Sequence, residues 1–472
     1  MKLVEEAAET SNWSTRLGSS VGVLLCVTLV FTTLIYGAVD SGAVTLLAIS
    51  TTLLLCLWAA HAWIVGEFRL YTTFIYVPIL GWIVLGLIQL LPVRNMDSLN
   101  DILGRSATAA LSFDQYATKF FLIRLFFYLV FLAAALTFIN SDRRLRRVAW
   151  SVIVFGSVIA FFGILQWLAK PDAIYGLRVT PQAIPFGPFV NQHHFAALME
   201  MTGGLTLGVL LGKGTKKDKQ PLLLIATALM VVAILLTGSR GGLVGFIGVA
   251  LFAAITAAAF RRNKQTGKEN RVGTFLSRWF LPVTIVAAAI LLITGLVVFL
   301  GGEQSLLRGS GIGNTQPDIT SGRAQFWRIG LQIFLSNPII GTGFDTFGVA
   351  FTRFDPSNGL LRVEEAHNDY LQTLADGGIV AFGCLMGFLY LLFTKGIASI
   401  TKRKDPQQRS IAIGALAGCF GIAVHSFFDF PLRTPANSFF FLTLVALAIV
   451  KISGDKTERS EKQVKILTAP LR

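Results

Sequence analysis

The chain has 472 residues, 53% of them hydrophobic and 14% charged, with a formal net charge of +15. So apolar a composition leaves too little polar surface for a soluble globule, and no basic cluster is interleaved with aromatics in a soluble domain, which argues against nucleic acid as a partner. The four cysteines, Cys26, Cys56, Cys384 and Cys419, all lie in apolar runs and read as small buried hydrophobes.

Twelve apolar runs follow one another, at about 20–36, 43–65, 72–91, 120–140, 148–168, 192–212, 221–237, 242–260, 280–300, 376–394, 410–428 and 437–452. A run of about 18–20 apolar residues crosses a bilayer as a helix. The expected fold class is therefore an all-α polytopic membrane protein with about 12 transmembrane helices, forming one integral membrane domain over 1–472. The first run lacks a small-residue cleavage site and reads as an uncleaved helix. The basic stretches "RRLRR" (143–147), "KGTKKDK" (213–219), "RRNKQTGKENR" (261–271) and "KRK" (402–404) fall on one side with the 453–472 tail. That asymmetry predicts cytoplasmic N- and C-termini, with the charge setting topology and touching anionic membrane lipid.

The opposite-side segments are longer. Residues 92–119 suggest a short interfacial helix, 169–191 are rich in Pro and Gly, and 301–375 form a long extracytoplasmic loop. A long loop in a compact chain is usually functional, so any chemistry faces outward.

In chain order, "NQHHFAALMEM" (191–201) puts Asn191, His193 and His194 at a helix mouth and Glu200 about two turns deeper. An ionisable group there marks a functional site or a structural pair. "TGSRGG" (237–242) holds Arg240 among glycines that would let a ligand approach; an interfacial anchor is the alternative. In the long loop, Thr320 or Ser321 can cap a helix through "GRAQFWRIGLQIFLSNP", with Arg323, Trp327, Gly330 and Phe334 on one face. Such a helix suits the membrane interface. "GTGFDTFG" (341–348) then reads as a turn whose N–H groups could cradle phosphate.

"VEEAHNDYLQTLADGGIVAFG" (363–383) opens the next run. A helix starting near Glu364 would align His367, Leu371, Leu374 and Gly378. His367 is then a proton acceptor near neutral pH, or an interfacial histidine bonded to a loop carbonyl. "VHSFFDFPLRTPAN" (424–437) adds His425, Asp429 and Arg433. Arginine forks suit phosphate, and apolar walls below suit a lipid tail. The expected substrate is an amphiphile with its headgroup outside.

"AHNDYLQTLADGGIVAFG" resembles the signature of the O-antigen ligase and polymerase family, and "NQHHFAALMEM", "TGSRGG", "SGRAQFWRIGLQIFLSNPIIGTGFDTFG" and "VHSFFDFPLRTPAN" resemble that family in the same order. The likeness runs from about Asn191 to Asn437; Gln192–His193 departs from the family's basic residue followed by Asn. The resemblance implies a bacterial inner-membrane glycosyltransferase of the GT-C kind, inverting, with no metal or other cofactor and an active site on the periplasmic face. Its donor would be an undecaprenyl-diphosphate-linked glycan. Its acceptor would be lipid A–core, another lipid-linked repeat or a protein side chain. The ligase class is favoured, on the expectation that protein-glycosylating relatives carry an extra C-terminal domain. Carried over, His367 is the base that receives the acceptor's proton and Arg240 and Arg323 clamp the donor diphosphate. Asn191, His194, Glu200, Asn368, Asp369, His425, Asp429 and Arg433 support or bind substrate. The residues alone leave metal open, because Glu364, Glu365 and Asp369 could ligate one. A transporter or flippase for lipid-linked sugar is the competing class, expected to show midplane charges, broken helices and an inverted repeat. A non-catalytic scaffold is the third.

Overall fold

The computed structural model describes residues 2–95, 108–181, 183–262, 323–356 and 363–452. The apolar run at 280–300, the loop residues 301–322 and 357–362 with the caps Thr320 and Ser321, the interior of 92–119 and the 453–472 tail lie outside them.

Thirteen α-helices make up the described chain. They are α1 (Lys2–Leu34), α2 (Ser41–Val65), α3 (Tyr76–Gln89), α4 (Gln115–Phe138), α5 (Asp142–Ala169), α6 (Gln192–Leu211) and α7 (Gln220–Thr237). Then come α8 (Arg240–Arg262), α9 (Arg323–Ser336), α10 (Phe347–Phe351), α11 (Asp369–Lys402), α12 (Pro406–His425) and α13 (Pro435–Ile449). Eleven of the twelve apolar runs fall on helices. Eight of these helices, α1, α2, α4 to α8 and α11, are long and apolar enough to cross a membrane. The count of about twelve is thus higher than the described residues carry. α3 and α13 have only 14 and 15 residues, and α12 begins with the polar Gln407, Gln408 and Arg409. Around 92–119 the described part is extended: Arg94–Asn95 pair antiparallel with Thr108–Ala109.

Local chemistry sets the helix starts. Asn191 accepts from the His193 amide at 2.8 Å, and Asn368 accepts from Tyr370 and Leu371 at 3.0 Å. Asp405 receives Gln408 at 2.8 Å, with Pro406 in the first turn. Each side chain satisfies donors that the first turn leaves open.

The core sits where α6, α12 and α13 meet. Most residues of these helices are buried, because neighbouring helices pack against them. Contact between α6 and α12 is backbone to backbone. A Cβ on Gly208 would lie 2.1 Å from Gly414 Cα, and one on Gly204 would lie 2.8 Å from Gly418 Cα. Glycines four apart on both helices allow that approach where lipid supplies no hydrophobic drive.

α11 breaks at Gly378 (φ 64°, ψ −164°). The freed backbone does not go unpaired. Ile379 and Val380 donate to Pro338 and Ile339 at 2.8 and 3.3 Å, while Thr342 and Gly343 donate to Ala375 and Asp376 at 3.1 and 3.0 Å. The segment after α9 is thereby sewn into the break, which meets the rule that irregular backbone at membrane depth must be satisfied by protein.

Gly414→Leu is expected to lower the thermal midpoint by several degrees, since overpacking costs about 1–3 kcal/mol or more. Gly42→Leu, where an added Cβ meets nothing within 4 Å, should leave it unchanged. Circular dichroism melts of the purified variants check this, and equal midpoints would remove the α6–α12 backbone contact.

Candidate active site

His367 does not lie on a helix face. α11 starts at Asp369, two residues later, and His367 precedes its cap with φ +50°. Asn368 draws the helix start to itself by taking the Tyr370 and Leu371 amides, so the expected start near Glu364 is corrected. Gln372 reaches back one turn and accepts from the buried Ala366 amide at 2.6 Å. Asp369 donates its N–H to Ser426 O at 2.9 Å, and Tyr370 donates its hydroxyl to Ala423 O at 2.6 Å. These bonds bolt the His367 segment to the end of α12. A non-glycine residue at positive φ is held by such surroundings, and strain of this kind clusters at functional sites.

The His367 ring lies between Phe326 of α9, nearly parallel at 6.1 Å, and Phe430, edge-on at 4.8 Å. Its Nδ1 meets Asp429 Oδ1 at 3.1 Å. Nε2 makes no hydrogen bond among the described residues. Asp429 is 1% exposed. Its other oxygen takes Arg323 Nη2 at 3.3 Å and faces His193 Nδ1 at 3.8 Å. The Phe430 amide adds a bond at 3.0 Å. Burial alone would raise the Asp429 carboxyl. The His367 hydrogen bond and the charges of His193, His367 and Arg323 outweigh it and hold the carboxyl well below the usual carboxylate range. An ionised Asp429 accepts from Nδ1–H, which leaves the lone pair on Nε2.

The remaining predicted residues fall around this dyad. Arg240 is the first residue of α8, directly after Ser239. Ser239 Oγ accepts from the Gly242 amide at 3.1 Å and bonds His193 Nδ1 at 2.9 Å. That links Arg240's segment to the Asp429 cluster. Asn191 and Asn368 act as helix caps. His194 is buried, bonded through Nδ1 to Thr434 Oγ1 at 2.7 Å, and its carbonyl receives Asn437 at 3.0 Å. Glu200 and His425 form a fully buried pair at 2.7 Å, below the dyad. Asp369 accepts from Ser426 Oγ at 2.9 Å.

Arg433 stands in a second network. It bonds Asp345, meets Asp376 Oδ2 at 2.8 Å and lies 3.3 Å from Glu365; Asp345 also bonds Arg124. Burial would lower the Arg433 pKa, but Glu365, Asp345, Asp376 and Asp369 drive it above its usual range. Burial pushes Glu365 up to about 8 against the pull of Arg433, with Asp345 and Asp376 adding to the rise.

The "GTGFDTFG" turn is no anion cradle. Thr342 and Gly343 amides go to α11, Phe344 N donates to Gln89 Oε1 at 3.0 Å, and Asp345 N donates to Asp376 Oδ2 at 3.2 Å. On α9 the inward face is Phe326, Ile329, Gly330 and Ile333, so only Gly330 of the expected stripe is buried. His193, Ser239, Asp345, Asp376 and Arg124 were not singled out as site residues. His193 was the one with a signal, since it sits in the same motif as His194.

The O-antigen ligase family model matches residues 225–386. Over this segment the chain is similar to the O-antigen ligase family. A search of curated proteins finds no match. The O-antigen ligase match spans Arg240, Arg323 and His367, and it supports glycan transfer in polysaccharide biosynthesis by a multi-pass membrane protein.

Glu365→Gln tests the second network. A carboxyl raised in the fold contributes stability that is complete below its unfolded pKa of about 4.3 and is lost as pH rises through about 8. The wild-type melting midpoint should therefore fall between pH 5 and pH 8.5, and the variant should flatten that fall. An unchanged slope would take Glu365 out of the network.

Proposed function

We propose that this chain is an inverting, metal-independent glycosyltransferase. It moves a glycan from undecaprenyl diphosphate to an acceptor hydroxyl at the periplasmic face of the bacterial inner membrane, in the manner of an O-antigen ligase with lipid A–core as acceptor. The observation that carries this reading is the bond from His367 Nδ1 to buried Asp429, 3.1 Å long. It leaves Nε2 able to take a proton.

In this reading the acceptor O–H gives its proton to His367 Nε2. The oxygen attacks the anomeric carbon, and the bond from that carbon to the diphosphate oxygen breaks. The diphosphate leaves with the electron pair. Asp429 keeps the imidazole oriented and stabilises the imidazolium that forms. Arg323 spends one bond on Asp429, out of five guanidinium donors. With Arg240, it would meet the charge growing on the diphosphate, where a preorganised donor is worth about 3–4 kcal/mol. An acceptor that is another lipid-linked repeat would make the same chemistry a polymerase.

Two observations favour the transporter reading as a second: the break of α11 at Gly378 and the buried Glu200–His425 pair inside α6 and α12. Sealed vesicles that translocate the lipid-linked donor without cleaving it would select it.

His367→Ala is expected to lower transfer by about 10²–10⁴-fold, the usual worth of a general base. In the native host, lipid-linked glycan should accumulate and its acceptor product should vanish while membrane expression holds. Wild-type levels of donor and product would refute the assignment of the base.

A further inference from the structure

A cavity of about 190 Å³ opens between α3, α4, α11 and α13, on the Arg433 side of His367. Its two ends differ in chemistry. One end carries Arg124, Asp345, Asp369, Asp376 and Arg433. The rest is mostly apolar, with Ile79, Leu385, Phe388, Phe441 and Leu442 among its walls and Thr373, Ser426 and Ser438 as polar interruptions. Gln89, at the end of α3, donates to Asp376 O at 2.9 Å, so α3 and α11 run together away from the polar end. From the Gly378 break to Leu389, α11 rises roughly 16 Å at ~1.5 Å per residue. A slot with one polar end and a long apolar body fits the chain of an amphiphile.

The polar end selects the head. Both guanidiniums are occupied by carboxylates: Arg124 by Asp345, and Arg433 by Asp345, Asp376 and Glu365. The three aspartates outnumber the two arginines. A phosphate would meet excess negative charge. A hydroxyl would meet acceptors. One of them stands ready, because Asp376 is 1% exposed and its Oδ1 has no hydrogen-bond partner among the described residues. A buried acceptor left unmade costs about 1–3 kcal/mol unless a ligand supplies the donor.

We propose that this slot binds the hydrocarbon chain of a lipid whose head is uncharged and hydroxyl-bearing, with Asp376 Oδ1 accepting from a head hydroxyl. Asp369 is two residues from His367, and Arg433 is four residues from Asp429. The head therefore lies beside the dyad. Resting on the glycosyl-transfer reading, the bound lipid would take the place of lipid A–core as acceptor, since lipid A is phosphorylated and this end disfavours phosphate; it enters opposite the Arg323 and Arg240 side where the donor diphosphate would lie. The two substrates would be sorted by charge, since like charges at the slot mouth reject the diphosphate.

The test uses the full chain in lipid nanodiscs free of glycoside detergent. The probes are dodecyl glucoside and dodecyl phosphate, each with a diazirine in mid-chain. The glucoside should crosslink to residues 384–389 and 441–442 at least tenfold more than the phosphate. Leu385→Trp, which fills the slot, should cut that labelling about tenfold. Equal labelling by the phosphate, or glucoside labels scattered over outward residues such as Val154 and Phe161, would overturn the proposal, and this wild-type map stands even if the variant misfolds. In a transfer assay, unlabelled dodecyl glucoside should compete with the acceptor. Slot labelling without competition overturns the acceptor assignment alone, while slot labelling in a chain with no transfer activity keeps the lipid site and sinks the glycosyl-transfer reading.

Discussion

The Asp429 carboxylate is the point on which the polar cluster around His367 depends. It is buried, so its charge would be prohibitive without partners. Those partners come from three places distant in sequence: His367 ahead of α11, Arg323 at the start of α9, and His193 in the first turn of α6. Removing one partner of a buried pair typically costs about 3–5 kcal/mol, because the remaining charge stays uncompensated. One carboxylate thus assembles the His367 imidazole, a guanidinium and a helix mouth, and makes their relative positions interdependent.

Four residues further on, Arg433 does the reverse. A single half-buried guanidinium gathers Asp345, Asp376 and Glu365. Asp345 is also held at positive φ, 65°, and it tethers Arg124 of α4. The short stretch Asp429–Arg433 therefore lies between two polar networks of opposite bias. Towards Arg323 the dyad presents cationic donors. Towards Asp376 the surface presents acceptors. His367 stands at the boundary, boxed by Phe326 and Phe430, where a hydroxyl from one side and a leaving anion from the other could meet.

Much of this was legible in residue order. The apolar runs located the helices because burial and lipid both demand the same side chains. Asn191 and Asn368 announced helix starts, and the motifs that hold His367, Arg323, Asp429 and Arg433 were visible as polar groups at one face. What stayed hidden was pairing. That Asp429 serves His367 while Arg433 serves three carboxylates follows from the way α11 breaks at Gly378 and takes the Pro338–Asp345 segment into the gap. Nothing in "GTGFDTFG" says that its amides are already spent. The helix start was placed about five residues early because Glu364 and Glu365 look like a helix first turn, whereas the Asn368 side chain competes better for the open amides. The span count is not confirmed by the described residues, because an apolar run reports burial of either kind, in lipid or inside a bundle.

The most direct test of the dyad is the tautomer of His367. The chain has only 5 histidines, so ¹⁵N-histidine labelling in nanodiscs, with His367→Gln to assign the signal, resolves it. The account predicts that the neutral His367 ring carries its proton on Nδ1, with Nε2 unprotonated, and that Asp429→Asn abolishes this preference. A neutral ring protonated on Nε2, unchanged by Asp429→Asn, would contradict it.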